Sequence, residues 1–404
     1  SNLIEIDMGG TSFDVALIDD GEFHYTTEAE IEPTLPVKVA MLDIRTIGAG
    51  GGSIAWIDEG GALKVGPKSA GADPGPACYG RGGTEATTTD ANVVLGRIDP
   101  DSFLGGRMRL KPELAEQAVE KLAKHFGMET RRMAQGILDI TVAKMVQEIR
   151  SAAAERGADP RDYVLFAGGG AGPLHAAQIA RELGIRRVLV PRAPGLLSAI
   201  GLQLSDLRFD SVRTFPCILE RAGTERLGEL LQEMIVEGRQ RILSENVEAE
   251  PITIASLDMR YERQNWELTI TVDPRNLTVE SVSRAFDREH ERLYGFAMPT
   301  EYHEIINLRC TTIAQIKDPA HLLARLVPDF AGADGRPTGT RQIYDDVQRV
   351  NVEARTYVRD NLVRGQRIDG PALISEPDST VYIPSDSSAC VDDYGNILIE
   401  VAIR

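Results

Sequence analysis

Apolar and polar residues alternate from the start of the chain. The run Leu3-Ile4-Glu5-Ile6 stops on Asp7, and Val15-Ala16-Leu17-Ile18 resumes it after Met8-Gly9-Gly10-Thr11-Ser12-Phe13-Asp14. A glycine pair between two such runs predicts strand, tight turn, strand. Residues 12–26 continue as a hairpin turning at Asp19-Asp20-Gly21. The spacing then becomes helical. Ala115, Val119, Leu122 and Phe126 share one face of a helix over Lys111–Phe126, with Pro112 in its first turn. Met133, Ile137, Thr141, Met145, Ile149 and Ala152 do the same over Arg131–Arg156, where the methionines read as core filler. Tyr163–Ala167 is a buried strand that runs into glycines, and a helix starts at Pro173.

Further on, the pattern gives a strand over Arg187–Pro191, a short helix over Leu196–Leu202 and a strand over 206–215. An amphipathic helix over 224–246 follows, then strands over 252–262 and 266–273. A helix over Thr278–Tyr294 is stopped by Gly295, and a strand runs through 303–316. After about residue 318 the composition shifts. Residues 329–341 read as a linker or loop, and short strands with turns at Asp369-Gly370-Pro371 and Tyr394-Gly395-Asn396 run to the end. These elements predict an α/β protein in three parts: a core over 1–205, an α+β domain over 206–328 and a β-rich module over 329–404.

The chain has 404 residues and a net charge of −17. An acidic chain without a dense Lys/Arg patch is repelled by a phosphate backbone, so nucleic acid is not expected as a partner. Any anionic nucleotide has to be held locally, by backbone N–H groups and a metal ion. Cys78, Cys217, Cys310 and Cys390 form no Cys-x-x-Cys pair, which fits a reducing cytoplasm. No apolar run is long enough to span a membrane, and no signal peptide is present. The chain begins at Ser1 without a methionine and enters a strand almost at once. That predicts a piece of a longer protein, with Ser1-Asn2 as a cloning remnant.

The candidate chemistry lies in the glycine turns. Without a Cβ, Gly9 and Gly10 let the backbone wrap an oxyanion, and the hydroxyls of Thr11 and Ser12 add donors for phosphate oxygens. Asp7, at the end of its strand, suits hydrated Mg²⁺. The second turn, Gly168-Gly169-Gly170-Ala171-Gly172, opens a helix whose N-terminus favours an anion. It is not Gly-x-Gly-x-x-Gly, because Pro173 stands at the third glycine position. A third glycine run, Gly48–Gly52, marks close backbone approach to a ligand or a neighbouring strand. Residues 61–69 nearly spell a Walker A loop, but Pro67 shifts the lysine and removes a needed N–H, which excludes that reading. The long irregular segment 67–98 has the character of a functional loop. Thr89 and Asp90 are candidate N-caps for a helix over 91–96, and Asp90 is either a cap or a ligand-facing carboxylate. His175 reads as a packing or capping residue rather than a catalytic one.

Asp7-Met8-Gly9-Gly10-Thr11-Ser12-Phe13-Asp14 resembles the second phosphate loop of the actin, sugar-kinase and heat-shock ATPase superfamily, whose pattern is Asp-x-Gly-Gly-Thr-x-x-Asp. Five stretches resemble more closely the hydantoinase A / 5-oxoprolinase / acetone carboxylase family: Asp7–Val15, Gly66–Gly96, Ala167–Ala176 with Pro194–Gly201, Met259–Leu268 and Gly370–Thr380. The most specific part is Asp73-Pro74-Gly75-Pro76-Ala77-Cys78-Tyr79-Gly80.

The resemblance implies an actin-like ATPase (ribonuclease H-like) core with a β-rich C-terminal module, and ATP with Mg²⁺ as cofactors. It implies ATP-dependent hydrolysis of a cyclic amide such as a hydantoin or 5-oxoproline, through phosphorylation of the carbonyl oxygen. On that basis Gly9, Gly10, Thr11 and Ser12 hold phosphates, and Gly168, Gly169, Gly170 and Gly172 face the adenosine. Asp7 orients Mg²⁺ or its water, and Asp14 acts on the metal shell or satisfies turn donors. A B-type subunit or a second copy is the expected partner. Two alternatives stay open: the ATP-using subunit of an acetone- or acetophenone-type carboxylase, and a non-catalytic nucleotide-binding module. Family members usually carry a first Asp-x-Gly-Gly-Thr loop in a preceding domain. Nothing before residue 7 supplies it, so this chain alone is expected to hydrolyse ATP poorly.

Overall fold

The computed structural model describes residues 2–26, 41–245, 250–315, 330 and 332–403, and the backbone strands at 29–32 and 35–37. The expected composition break near 318, the strand end at Ile316, the helix end at Asn246 and linker residues Asp329 and Ala331 lie outside the described residues. Two compact units form: residues 1–201 with 323–404, and residues 202–322. Among the described residues no helix is long and apolar enough to cross a membrane, and all four cysteines are free.

The first unit grows from the opening hairpin. Strand β1 (Leu3–Met8) buries Ile4, Ile6 and Met8 completely and turns Leu3, Glu5 and Asp7 to its other face. It pairs antiparallel with β2 (Phe13–Asp19), which places Asp7 opposite Asp14. Asp20 and Gly21, at φ of 52° and 86°, turn the chain into β3 (Glu22–Phe23), as a type I′ hairpin requires. Strand β4 (Arg45–Ile47) pairs with β2 and sets Thr46 opposite Asp14.

An insertion follows. Strands β5 (Ser53–Ile57) and β6 (Leu63–Ser69) pair antiparallel, so the Walker-like residues 61–69 lie mainly in a strand. Helix α1 (Thr88–Val94) starts three residues before the expected position, because Thr87 is its N-cap and Asp90 closes a capping box. Helices α2 (Pro112–Phe126) and α3 (Thr130–Glu155) lie within one residue of their predicted bounds. Strand β7 (Val164–Gly168) then runs parallel beside β1, with Gly168 level with Asp7. Helix α4 (Gly172–Leu183), strand β8 (Arg187–Val190) and helix α5 (Leu197–Leu204) complete this part. Val142, Met145 and Ile149 of α3 and Ile179 of α4 join Ile4, Ile6, Leu165 and Val188 in one core.

The second unit is an antiparallel sheet of β9 (Leu207–Ile218), β10 (Ile252–Tyr261), β11 (Leu268–Val272) and β12 (His303–Ala314), in the order β9-β12-β10-β11. Helices α6 (Glu225–Leu243) and α7 (Val279–Tyr294) bury Leu231, Met234 and Phe286 against it.

The chain then returns to the first unit. Strands β13 (Gly339–Tyr344), β14 (Asn351–Val358), β16 (Ala372–Ser375) and β17 (Thr380–Ile383) form a four-stranded sheet, and β15 (Arg367–Asp369) lies between β14 and β16 in sequence. Strands β18 (Ser387–Val391) and β19 (Ile397–Val401) extend the opening sheet to nine strands: β15-β18-β19-β8-β7-β1-β2-β3, with β4 on β2. The residues expected as a separate module therefore fold with the first 201, because the edge of β8 takes a hydrogen-bonded partner in β19 and Ile397 and Ile399 join the same core.

Candidate active site

The turn between β1 and β2 is held from behind. Gly9 N donates to Ser12 O at 3.2 Å, and Gly51 N and Gly52 N donate to Gly9 O and Gly10 O at 3.0 and 2.6 Å. The amides of Gly10 and Thr11 and the Thr11 hydroxyl have no partner among the described residues. The glycines of this region differ in kind. A Cβ on Gly50 would lie 2.5 Å from Thr11 backbone, so packing requires that glycine. A Cβ on Gly9 or Gly10 would meet nothing within 4 Å, and neither has a left-handed φ. Neither packing nor backbone strain requires a glycine at Gly9 or Gly10, and the space beside both is open.

The second turn separates in the same way. Gly169, at φ of 75°, would set a Cβ 2.4 Å from Met8 O, and a Cβ on Gly168 would lie 2.9 Å from Leu197 Cδ2. Both have packing reasons of their own, and so has Gly170, whose Cβ would lie 2.9 Å from Asp378 O. Gly169 N is used by Pro194 O, and Ala171 N by Met8 O. The amides of Gly170 and Gly172 keep no partner among the described residues, and α4 begins there.

The acidic residues gather on one face of the opening sheet. Asp7 Oδ2 accepts from Ser198 Oγ at 2.7 Å. Asp14 accepts from Thr46 Oγ1 at 2.5 Å and from Ser12 Oγ at 3.4 Å, so the Ser12 hydroxyl is partly engaged within the chain. Glu5 lies on the same face. Burial, then the nearby Asp7 and Asp14, push its pKa up to about 8. Among the described residues no group of three His, Cys, Asp or Glu side chains could hold a metal ion.

Both glycine turns open on one cavity of about 250 Å³. Gly9 and Gly10 lie on one side and Gly170 and Ala171 on another, with Tyr79, Phe103, Ile98, Leu104 and Leu174 supplying apolar surface. The irregular segment 71–96 places Tyr79 here. Asp90 accepts from Ala77 N, Cys78 N and Thr87 N at 3.1, 2.7 and 3.0 Å, and from Thr87 Oγ1 at 2.7 Å. Asp90 is thus a cap that also clamps the loop. Residues 376–380 close another side. Glu376 accepts from Ala193 N at 3.1 Å and pairs with Arg359 at 2.6 Å, while Asp378 accepts from Gly195 N at 2.8 Å. Asn92, His175 and Ser379 line the cavity, and each keeps a buried polar atom without a partner among the described residues: Oδ1, Nδ1 and Oγ.

The sequence pointed to the glycine turns, Asp7 and Asp14. Glu5, Asn92, Ser198, Glu376, Asp378 and Ser379 were not among its candidates. Asn92 falls inside the second family-like stretch, Ser198 inside the third and Glu376–Ser379 inside the fifth, while Glu5 lies in none of them.

Residues 1–211 match the family model described as hydantoinase/oxoprolinase, and residues 220–400 match the hydantoinase/oxoprolinase C-terminal domain. The chain belongs to the hydantoinase/oxoprolinase family. Among its relatives, caprolactamase subunit alpha from Pseudomonas jessenii is 35% identical over 95% of this chain and 56% of its own length. The acetophenone carboxylase gamma subunit from Aromatoleum aromaticum is 33% identical over 99% of this chain and 56% of its own length. The crystal structure of the ATP-dependent caprolactamase from Pseudomonas jessenii superposes with a TM-score of 0.75 at 33% identity, over 99% of this chain and 59% of that one. A nucleotide-free acetone carboxylase structure, at 24% identity and a TM-score of 0.86 over 99% of this chain and 58% of that one, shares the fold. The chain spans somewhat more than half the length of these relatives.

Proposed function

We propose that this chain is the ATP-using part of an enzyme that hydrolyses a cyclic amide. One observation carries the reading: two glycine turns more than a hundred residues apart border a single cavity and leave amides free at it. The parallel placement of β1 and β7 and the Asp7–Asp14 hairpin support an actin-like ATPase core. The amides of Gly10 and Thr11 and the Thr11 hydroxyl hold phosphate oxygens, with Ser12 beside them, and Gly170 and Gly172 face the nucleoside. Asp7, kept in place by Ser198, orients Mg²⁺ or its water, and Asp14, kept in place by Thr46, serves the same shell. Gly168 and Gly169 shape the turn. ATP supplies the phosphoryl group that turns a resonance-stabilised amide carbonyl into a better electrophile. The chain's own share is positioning and charge neutralisation. The subunit names of the relatives support a B-type partner subunit.

The acetophenone carboxylase relative favours a second reading, in which the same site activates a ketone for carboxylation. ATP consumption by the full-length protein with caprolactam, hydantoin, 5-oxoproline and acetophenone separates the two: stimulation by a cyclic amide supports the first, by the ketone alone the second. Gly10→Ala tests the site itself. No neighbour opposes the added methyl, so melting temperature stays within about 0.5 kcal/mol equivalent of wild type, while ATP affinity falls at least tenfold. Unchanged ATP affinity would remove the turn from the binding site.

A further inference from the structure

Asn92 and His175 have no assigned role in the site described above, yet they are its most deeply buried polar side chains, at 2% and 1% exposure. Their hydrogen bonds fix what each can offer. Asn92 Nδ2 donates to Thr88 O at 3.1 Å, and a carbonyl only accepts, so the orientation of the amide follows. The same nitrogen lies 3.4 Å from His175 Nε2. Nε2 must accept, and the proton of the neutral imidazole is then on Nδ1. The ring is neutral because burial, reinforced by Arg97 and opposed by Asp346, pulls its pKa down to about 3. What remains is one acceptor, Asn92 Oδ1, and one donor, His175 Nδ1–H. Both are buried, and neither has a partner among the described residues. Native proteins rarely leave such atoms unpaired without a ligand or water to meet them.

The surroundings narrow the ligand. Tyr79 and Phe103, with ring centroids 5.8 Å apart, and Leu174 suit a planar ring. The charged side chains that line the cavity are Asp99, Glu376 and Asp378, and no Lys or Arg lines it among the described residues. An anionic ring would be repelled, whereas ribose hydroxyls can donate to carboxylates. The free amides of the phosphate turn stand at Gly10 and Thr11, and Gly10 borders the cavity, so a charged tail stays at the turn and an uncharged ring enters.

We propose that Asn92 and His175 read the base of the bound nucleotide, Asn92 Oδ1 accepting from an exocyclic amino group and His175 Nδ1–H donating to a ring nitrogen. This rests on the ATP reading, and adenine carries both groups. Asn92 and His175 are therefore specificity-determining residues with no part in the chemical step.

The test compares the equilibrium affinity of the protein for ATP and for purine riboside triphosphate, which lacks the 6-amino group. Wild type should prefer ATP by about tenfold, the loss expected for one buried hydrogen bond. Asn92→Ala should abolish that preference. His175→Ala should weaken both ligands alike and leave their ratio intact, and general loosening of the fold would not erase the ratio in one variant and keep it in the other. If Asn92→Ala does not fold, the wild-type ratio decides alone. Equal binding of the two nucleotides by wild type, or a preference that survives Asn92→Ala, overturns the inference. So does a pair of variants that raise KM for a cyclic amide while leaving ATP affinity unchanged, since the cavity would then hold the substrate. Failure of wild type to bind any nucleotide overturns the ATP reading itself, a different result from binding without discrimination.

Discussion

Glu5 keeps its proton to about pH 8, two residues before Asp7 on the same face of the strand. Burial is the main cause, and Asp7 and Asp14 add to it. In the unfolded chain Glu5 ionises near its ordinary value, so between about pH 4.5 and 8 the folded state binds a proton that the unfolded state has lost. The stability linked to this group is therefore complete below pH 4.5 and is lost as pH rises through 8. Glu5→Gln removes the titration. The variant should gain over wild type as pH rises from 5 to 8, by about 3–4 kcal/mol at the upper end. Thermal melts at pH 5, 6.5 and 8 check this, and a difference that stays flat across the three would show that Glu5 is not held neutral. The alternation of the strand tells that Leu3, Glu5 and Asp7 share a face, but not how deep that face lies. Its depth comes from elements far along the chain, since Gly168 of β7 and Leu197 of α5 meet beside Glu5. Asn92 was hidden for a similar reason: its meaning depends on His175, 83 residues away. The turn that carries Asp7, Gly9 and Gly10 was legible because its signals lie within a few consecutive residues.

The segment from Gly71 to Gly96 shows what an element adds beyond its residues. Its local signals place a helix near residue 91, and the Thr87-x-x-Asp90 pattern is the capping box that starts it. No local rule says that the same carboxylate reaches back to Ala77 N and Cys78 N, and that clamp is what sets Tyr79 at the cavity. Burial of Asp90 is complete, so its removal leaves several donors unpaired inside the protein. Asp90→Ala should cost about 3 kcal/mol in the denaturation midpoint. It should also speed amide exchange at Ala77 and Cys78 more than in α2 or α3, and weaken nucleotide binding through loss of the Tyr79 wall. A stability loss with unchanged exchange at those two amides would reduce Asp90 to an ordinary helix cap.

At the scale of the molecule, the two units should differ in their ability to fold from one continuous piece. The first unit is discontinuous, and its two segments share one sheet and one set of buried charges. Arg97, fully buried, lies 3.7 Å from Asp346, and Arg181 bridges Asp346 and Asp386 at 2.8 and 2.9 Å. Burial alone would raise the pKa of Asp346, but Arg97 and Arg181 hold it below the ordinary range. Arg359 also donates to Val190 O at 3.0 Å, beside the β8 edge that β19 covers. A fragment of residues 2–201 would thus leave the buried Arg97 and the part-buried Arg181 without their counter-charges and would carry a bare parallel-sheet edge. Removing one partner of a buried ion pair costs on the order of 3–5 kcal/mol, and unpaired strand edges invite association. That fragment should lack a cooperative unfolding transition and should aggregate, and residues 330–404 added in trans should restore cooperative melting. Residues 206–315 differ: their four-stranded sheet is closed within the segment, and Leu231, Met234, Leu257, Phe286 and Leu308 form a core of their own. This fragment, of ordinary domain size, should melt cooperatively by itself. Calorimetry of the three preparations decides the matter: cooperative melting of 2–201 alone would show that the C-terminal strands decorate the first unit rather than complete it.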